Sequence, residues 1–254
     1  MFARTTGRLF SGTFKALFSN FEDFLRIAWA WYLLVAVLSV AGRLFAAQSV
    51  AVTAFTALVF LCASASISVA WHRNLLLREA PGPVNLKFGG RELRYAAKTL
   101  LITLCVVAAS AIVGAILGAI GQMAGSRSIL FGGLAIFFLF ALPVVMRVFL
   151  ILPATALDEK LGIAEAFRDS EGLGPPMAVA GIAVLLIAGA LEYGLGSFVG
   201  VLGAGSLFGV VALFILSVAL QIAVTALQIG VLTGGYYILR ERQMAQGAGP
   251  PAAD

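Results

Sequence analysis

The chain has one histidine, His72, set between Trp71 and Arg73. An imidazole serves as a general base or a metal ligand when a carboxylate, a thiol or a second histidine stands beside it. No Asp, Glu or Cys adjoins His72 in the sequence, and a tryptophan such as Trp71 is the usual anchor of a span at a membrane interface. A serine nucleophile would need that same histidine. Ser206, in the glycine-rich run GAGS at residues 203–206, has the setting of a loop nucleophile, but the hydropathy pattern places it at the opposite end of the spans from His72. Cys62 and Cys105 lie inside apolar runs, where a thiol acts as a small hydrophobe, and their spacing fits neither a disulfide framework nor a metal site. There are no paired carboxylates and no phosphate-cradling glycine loop. The expectation is a protein without catalytic residues, metal or cofactor.

A second kind of chemical signal is an ionisable residue inside an apolar run, because a charge held in lipid is costly. Arg147 and Glu192 are such residues. At ~1.5 Å per residue, Arg147 stands ~9 Å from the helix end near Pro153 and Glu192 ~23 Å from the start of its own span, so the two are not expected to pair. Arg147 is expected to reach lipid phosphates, or to meet Asp158 or Glu165, and Glu192 to reach the outer interface. Arg91, Arg94 and Lys98 recur at i, i+3, i+7 and form a basic stripe where a helix leaves the membrane. Each such residue attracts anionic lipid by about 1 kcal/mol, although membrane topology alone accounts for the same three. Ser217, Gln221, Thr225 and Gln228 stack on one helical face, opposite Ala219, Ala223, Ala226, Gly230 and Gly234. A small-residue face admits a neighbouring backbone closely, and the intramembrane polar stripe reads as interhelical hydrogen-bond glue worth about 0.6 kcal/mol per residue, in preference to the lining of a solute path. That helix is expected at the centre of its bundle.

Positioning these residues takes membrane spans. Of 254 residues, 61% are hydrophobic and 11% charged, against roughly a quarter charged in soluble domains. Six apolar segments, residues 25–41, 49–71, 99–124, 129–152, 177–195 and 210–239, are each near or above the ~20 residues that cross a bilayer. The fold class is therefore all-α, a polytopic membrane helix bundle of about six transmembrane helices with an N-terminal amphipathic interfacial helix. Residues 1–242 form a single bundle, with 1–26 as the N-terminal helix, and residues 243–254 a flexible tail. Phe10, Phe14, Leu17, Phe18, Phe21, Phe24 and Leu25 share one face of that first helix, while Ser11, Lys15, Ser19, Asn20, Glu22 and Asp23 fall opposite. This is the pattern of an interfacial helix, and a cap packed on the bundle fits it too. The start reads as mature protein rather than a secretory signal, since the region before the first apolar run is long and contains Glu22 and Asp23. Residues 194–209 fit a loop, a helix extension or a re-entrant piece. In the third span Ser110, Gly114, Gly118 and Gly121 align as a packing stripe.

Of the 17 Lys and Arg residues, all but Arg43 and Arg127 fall in the N-terminal segment, the second loop, the connection after the fourth span or the C-terminus. Cytoplasmic loops retain positive charge, so both ends of the chain are expected in the cytoplasm. The net charge of +5 flanks the spans, which favours anionic lipid as a partner and argues against nucleic acid.

The runs WHRNLLLREAPG at residues 71–82 and LKFGGRELRY at 86–95, with RVFLILPATAL at 147–157 followed by EAFRDSEG at 165–172, resemble a family of six-helix inner-membrane proteins of alphaproteobacteria to which no activity is assigned. More distantly, the chain is similar to the membrane region fused to some bacterial glycerophosphodiester phosphodiesterases. Relatives often carry a basic residue before the last glycine of EAFRDSEG, where this chain has Glu171. The resemblance implies the fold and a bacterial inner membrane. The expected function is non-enzymatic: a lipid- or protein-binding accessory component of the inner membrane, engaging anionic lipid or another membrane protein through Arg91, Arg94, Lys98 and Arg147. The alternative is a transporter of a small solute or lipid-like molecule, which would need a polar, water-lined path.

Overall fold

The computed structural model describes residues 2–45, 49–201, 207–245 and 247. Among these residues the chain forms α-helices and no β-strand: α1 (Phe2–Ser19), α2 (Phe21–Phe45), α3 (Val50–Leu77), α4 (Gly90–Met123), α5 (Arg127–Val148), α6 (Ile151–Ala156), α7 (Ile163–Asp169), α8 (Gly174–Val201) and α9 (Leu207–Ala245). Six stretches, Phe21–Gly42, Val50–Leu77, Gly90–Met123, Arg127–Ala156, Gly174–Phe198 and Val211–Ala245, are long and apolar enough to cross a membrane. The chain is a multi-pass membrane protein.

The elements extend or interrupt the apolar runs for identifiable reasons. α4 begins at Gly90, well before residue 99, because the basic stripe rides on its first turns; Glu92 accepts the Gly89 N–H at 2.8 Å and satisfies a donor that the helix start leaves open. The fourth run is divided between α5 and α6. Pro153 has no N–H, and its ring crowds the carbonyl one turn back at Phe149, so the helix opens there and restarts at Ile151. In the glycine-rich region the helix continues to Val201 and α9 resumes at Leu207; residues 203–206, with Ser206, lie outside the described residues. α9 runs to Ala245, past the expected start of the tail, and residues 248–254 of that tail are likewise outside the described residues.

The spans contact one another in the order α2, α3, α4, α5, α8, α9, and α9 returns to α2. All six residues of α6 are buried, and α6 touches α3, α4 and α9 at the end of the bundle that carries most of the Lys and Arg, here termed the basic end. The core gathers there too: Phe24, Trp71, His72, Leu150, Leu173, Met177, Tyr236 and Leu239 are fully buried, and the rings of Phe24 and Trp71 meet edge-on at 4.8 Å. Toward the other end large side chains face outward, as in Leu104, Val107, Ile112 and Ile116 on α4, a surface suited to lipid rather than water.

Close backbone approaches fix the packing. A Cβ at Gly174 would lie 2.3 Å from the Pro143 carbonyl oxygen, so α8 starts against α5 where only glycine fits. On the small face of α9, a Cβ at Gly230 would lie 2.7 Å from Thr13 Cγ2 and one at Gly234 would lie 3.2 Å from Leu9 Cδ2. The neighbour that this face admits is therefore α1. α1 buries Leu9, Thr13 and Leu17, one residue per turn, against the bundle. Its phenylalanines form an adjacent ladder, with ring centres 4.8 Å apart from Phe10 to Phe14 and 6.4 Å from Phe14 to Phe18, and Phe18 is 73% exposed. The packing stripe on α4 is used in part: a Cβ at Gly121 would lie 2.9 Å from the Ser126 carbonyl oxygen, whereas Gly118 faces open space.

Candidate functional site

The basic stripe of α4 lies along α6. Asp158, just past α6, has φ +60°, and this left-handed turn, which Asp tolerates better than most residues, accompanies a carboxylate turned toward α4. Arg91 donates to Asp158 Oδ2 from Nε at 2.8 Å and from Nη2 at 2.5 Å, Arg94 donates to Oδ1 at 2.7 Å, and Arg73 stands 3.7 Å from Oδ2. The Arg91 guanidinium, with Arg94 and Arg73 beside it, holds the Asp158 carboxyl below the usual carboxylate range. One turn deeper Lys98 Nζ donates to Thr155 Oγ1 at 2.8 Å. Arg94, Lys98, Lys160, Asp158, Glu159 and Glu165 help to line a cleft of about 420 Å³. The stripe is thus largely committed inside the protein, although Arg94 keeps 60% of its side chain exposed. Nearby, Glu159 accepts from the Tyr236 hydroxyl and pairs with Arg240 at 3.0 Å, so the end of α9 is tied to the segment after α6.

Arg147 takes a different partner from those expected. It donates to the Phe167 carbonyl oxygen and, at 3.2 Å, to Ser170 Oγ, and its guanidinium lies 3.6 Å from the Phe167 ring centre. It reaches neither Asp158 nor Glu165, because α7 folds back over the end of α5 and offers a carbonyl first.

His72 is fully buried and joins three helices. The Thr233 hydroxyl gives its proton to the Ile229 carbonyl oxygen at 2.8 Å, so its oxygen accepts from His72 Nδ1 at 2.8 Å. Nε2 is then left to accept from the Tyr95 hydroxyl at 3.3 Å. One donor and one acceptor match a neutral imidazole. This is a buried cross-brace between α3, α4 and α9, with no carboxylate on the ring among the described residues.

A groove of about 590 Å³ runs between α1, the end of α3 and α9. Its floor is Leu9, Leu75, Leu76, Gly230 and Gly234, with Thr233 behind, and its rim holds Arg8, Lys15 and Arg78. Arg8 pairs with Glu241 at 2.9 Å. Lys15 and Arg78 have no ion-pair partner among the described residues. Arg78 sits in the left-handed cap of α3 at φ +58°, strained for a residue with a Cβ. Thr13 lines the groove as well, and its buried hydroxyl has no hydrogen-bond partner among the described residues.

In the opposite half of the membrane region, Ser217, Gln221 and Gln228 of α9 share with Glu192 of α8 a cavity of about 280 Å³ that opens on the outside of the bundle, where Glu192, Gln221 and Gln228 are exposed. Thr225 is turned away from it: its hydroxyl lies 2.7 Å from that of Tyr32 on α2. The side chains of Glu192, Ser217, Gln221 and Gln228 make no hydrogen bond among the described residues. Hydrogen-bond glue therefore describes Thr225 alone. The stripe also faces a carboxylate that its own helix does not contain.

No protein-family model matches the chain, and neither a curated protein nor a solved structure matches it.

Reading the sequence alone passed over Lys15, Arg78 and Asp158 as site residues. Lys15 sat on the expected polar face of α1, but only the docking of α1 on α9 turns that face toward Arg78. Asp158 bore no local mark, since its partners stand 64 and 67 positions away.

Proposed function

We propose that the protein is a non-enzymatic accessory component of a bacterial inner membrane that holds the phosphate of an anionic lipid at its basic end, with both termini in the cytoplasm. The observation that carries this reading is the groove between α1, α3 and α9. Lys15 and Arg78 flank its mouth without carboxylate partners, and an apolar floor lies beneath them where an acyl chain can rest. Basic residues at a membrane surface favour anionic headgroups, and the hydroxyl of Thr13 supplies a buried donor that lacks an acceptor. The sequence resemblance to inner-membrane proteins and the skew of Lys and Arg toward one end support the location and orientation. Native mass spectrometry of the gently extracted protein tests it. Phosphatidylglycerol or cardiolipin should stay bound, and Lys15→Gln with Arg78→Gln should release it while the bundle stays folded. Retention unchanged by that pair of substitutions overturns the groove; no retained anionic lipid in the unaltered protein overturns the reading itself.

A second reading, passage of a small solute, is favoured by Glu192 facing the α9 stripe. Flux across proteoliposomes that vanishes in Gln221→Leu with Gln228→Leu would select it.

A further inference from the structure

The cavity between α8 and α9 lies outside the basic end. α8 contributes Leu185, Ala188, Gly189 and Glu192, and α9 contributes Ser217, Leu220, Gln221, Val224 and Gln228. The α8 side spans ~10 Å from Leu185 to Glu192 and the α9 side ~16 Å from Ser217 to Gln228. The two helices run antiparallel, so Glu192 stands opposite the Ser217–Gln221 end and Leu185 opposite the Gln228 end. The cavity is accordingly polar at one end, with a carboxylate, an amide and a hydroxyl, apolar in its middle at Leu185, Leu220 and Val224, and closed by the Gln228 amide at the other end.

We propose that this cavity binds the primary ammonium group of a small amphiphile, with the ammonium against Glu192, Ser217 and Gln221 and the apolar body along Leu185, Leu220 and Val224. Glu192 is exposed on the flank of an apolar span, where a carboxylate facing lipid calls for a counter-charge, and among the described residues no Lys or Arg pairs with it. The space of about 280 Å³ is larger than a bare ion fills, and the described residues hold no group of His, Cys, Asp and Glu suited to a metal. The oxygens of Ser217 and Gln221 accept hydrogen bonds, so the cation that suits them carries N–H donors. A quaternary ammonium carries none and is held instead by aromatic faces, and among the described residues no aromatic side chain lines this cavity. The proposal concerns binding at equilibrium and does not rest on lipid at the basic end or on passage of solute.

The test uses the full chain in nanodiscs of zwitterionic lipid, with octylammonium as the probe and octanol and octyltrimethylammonium as controls. Octylammonium should bind saturably and raise the unfolding temperature, and both controls should bind far more weakly. Glu192→Gln should weaken octylammonium by about tenfold or more, the effect of losing one charge-assisted hydrogen bond. Leu220→Trp keeps every polar group and obstructs the apolar stretch between the helices, so it should abolish binding even if Glu192→Gln proves unstable. Octylammonium bound equally by Leu220→Trp or by a folded Glu192→Gln overturns the site, and equal binding of octyltrimethylammonium overturns the primary-ammonium class.

Discussion

Arg91 and Asp158 are joined by two hydrogen bonds to one carboxylate oxygen, Oδ2, at 2.8 and 2.5 Å, while Arg94 occupies the other oxygen at 2.7 Å. This pairing clamps the start of α4 to the segment that follows α6. It turns residues that read from the sequence as a lipid-facing stripe into part of the protein's own framework.

Asp158→Asn should destabilise the bundle by about 1–3 kcal/mol, between the values typical of exposed and buried pairs, since the side chains of Arg91 and Asp158 are 34% and 21% exposed. The pH dependence has a definite sign. The folded carboxyl titrates below its unfolded value of about 3.9, so its contribution is complete above that value and is lost as pH falls through the folded one. Thermal unfolding from neutral pH downward should show a constant gap between wild type and Asp158→Asn until about pH 4, then a narrowing one. A gap that narrows near neutrality would contradict the assignment.

His72→Leu leaves the hydroxyls of Thr233 and Tyr95 facing an apolar side chain in the core. Tyr95 loses an acceptor, which costs about 1–3 kcal/mol. Tyr95→Phe should cost less, about 1 kcal/mol, and its effect should shrink once His72 has been replaced. A double-mutant cycle reads this coupling, and additive losses would mean that the 3.3 Å contact contributes nothing.

Gly230→Ala sets two effects against each other. Alanine favours helix by up to about 1 kcal/mol, but its Cβ would sit 2.7 Å from Thr13 Cγ2, an overpacking that costs about 1–3 kcal/mol. The net change should be destabilising. Thr13→Ser removes Cγ2, so in that background the same Gly230→Ala change should become neutral or stabilising. Denaturation midpoints of the four proteins decide the matter.

Gln221→Leu with Gln228→Leu should leave stability unchanged or raise it, because neither side chain has a partner among the described residues. Tyr32→Phe, which breaks the 2.7 Å contact with Thr225, should cost about 0.6 kcal/mol. The opposite order of effects would restore the glutamines as interhelical contacts.

For orientation, cysteines placed after Arg242 and at Ser126, with Cys62 and Cys105 replaced, should differ toward an impermeant thiol reagent on intact cells. Only the cysteine at position 126 should be labelled.

Hydropathy and helical periodicity made the six spans and the close approach to Gly230 and Gly234 legible before any coordinates, because a span's length and a helix face are properties of neighbouring residues. The division at Phe149 was written in Pro153 yet masked by the unbroken apolar run around it. What could not be read were pairings between distant segments. Thr233 stands 161 positions from His72, and Glu192 meets the stripe of the following helix only through the register of α8 on α9. Spacing within one helix says which residues share a face and is silent about which face meets which.

The seat of α1 on Gly230 and Gly234 also orders events in time. α1 leaves the ribosome before α2 to α8, and the surface that receives it belongs to α9, which follows them. Throughout elongation Leu9, Thr13 and Leu17 must wait undocked while the intervening spans enter the membrane. The groove with Lys15 and Arg78 at its mouth is absent while only the earlier helices have been made; it comes into being once α9 follows and α1 closes on it.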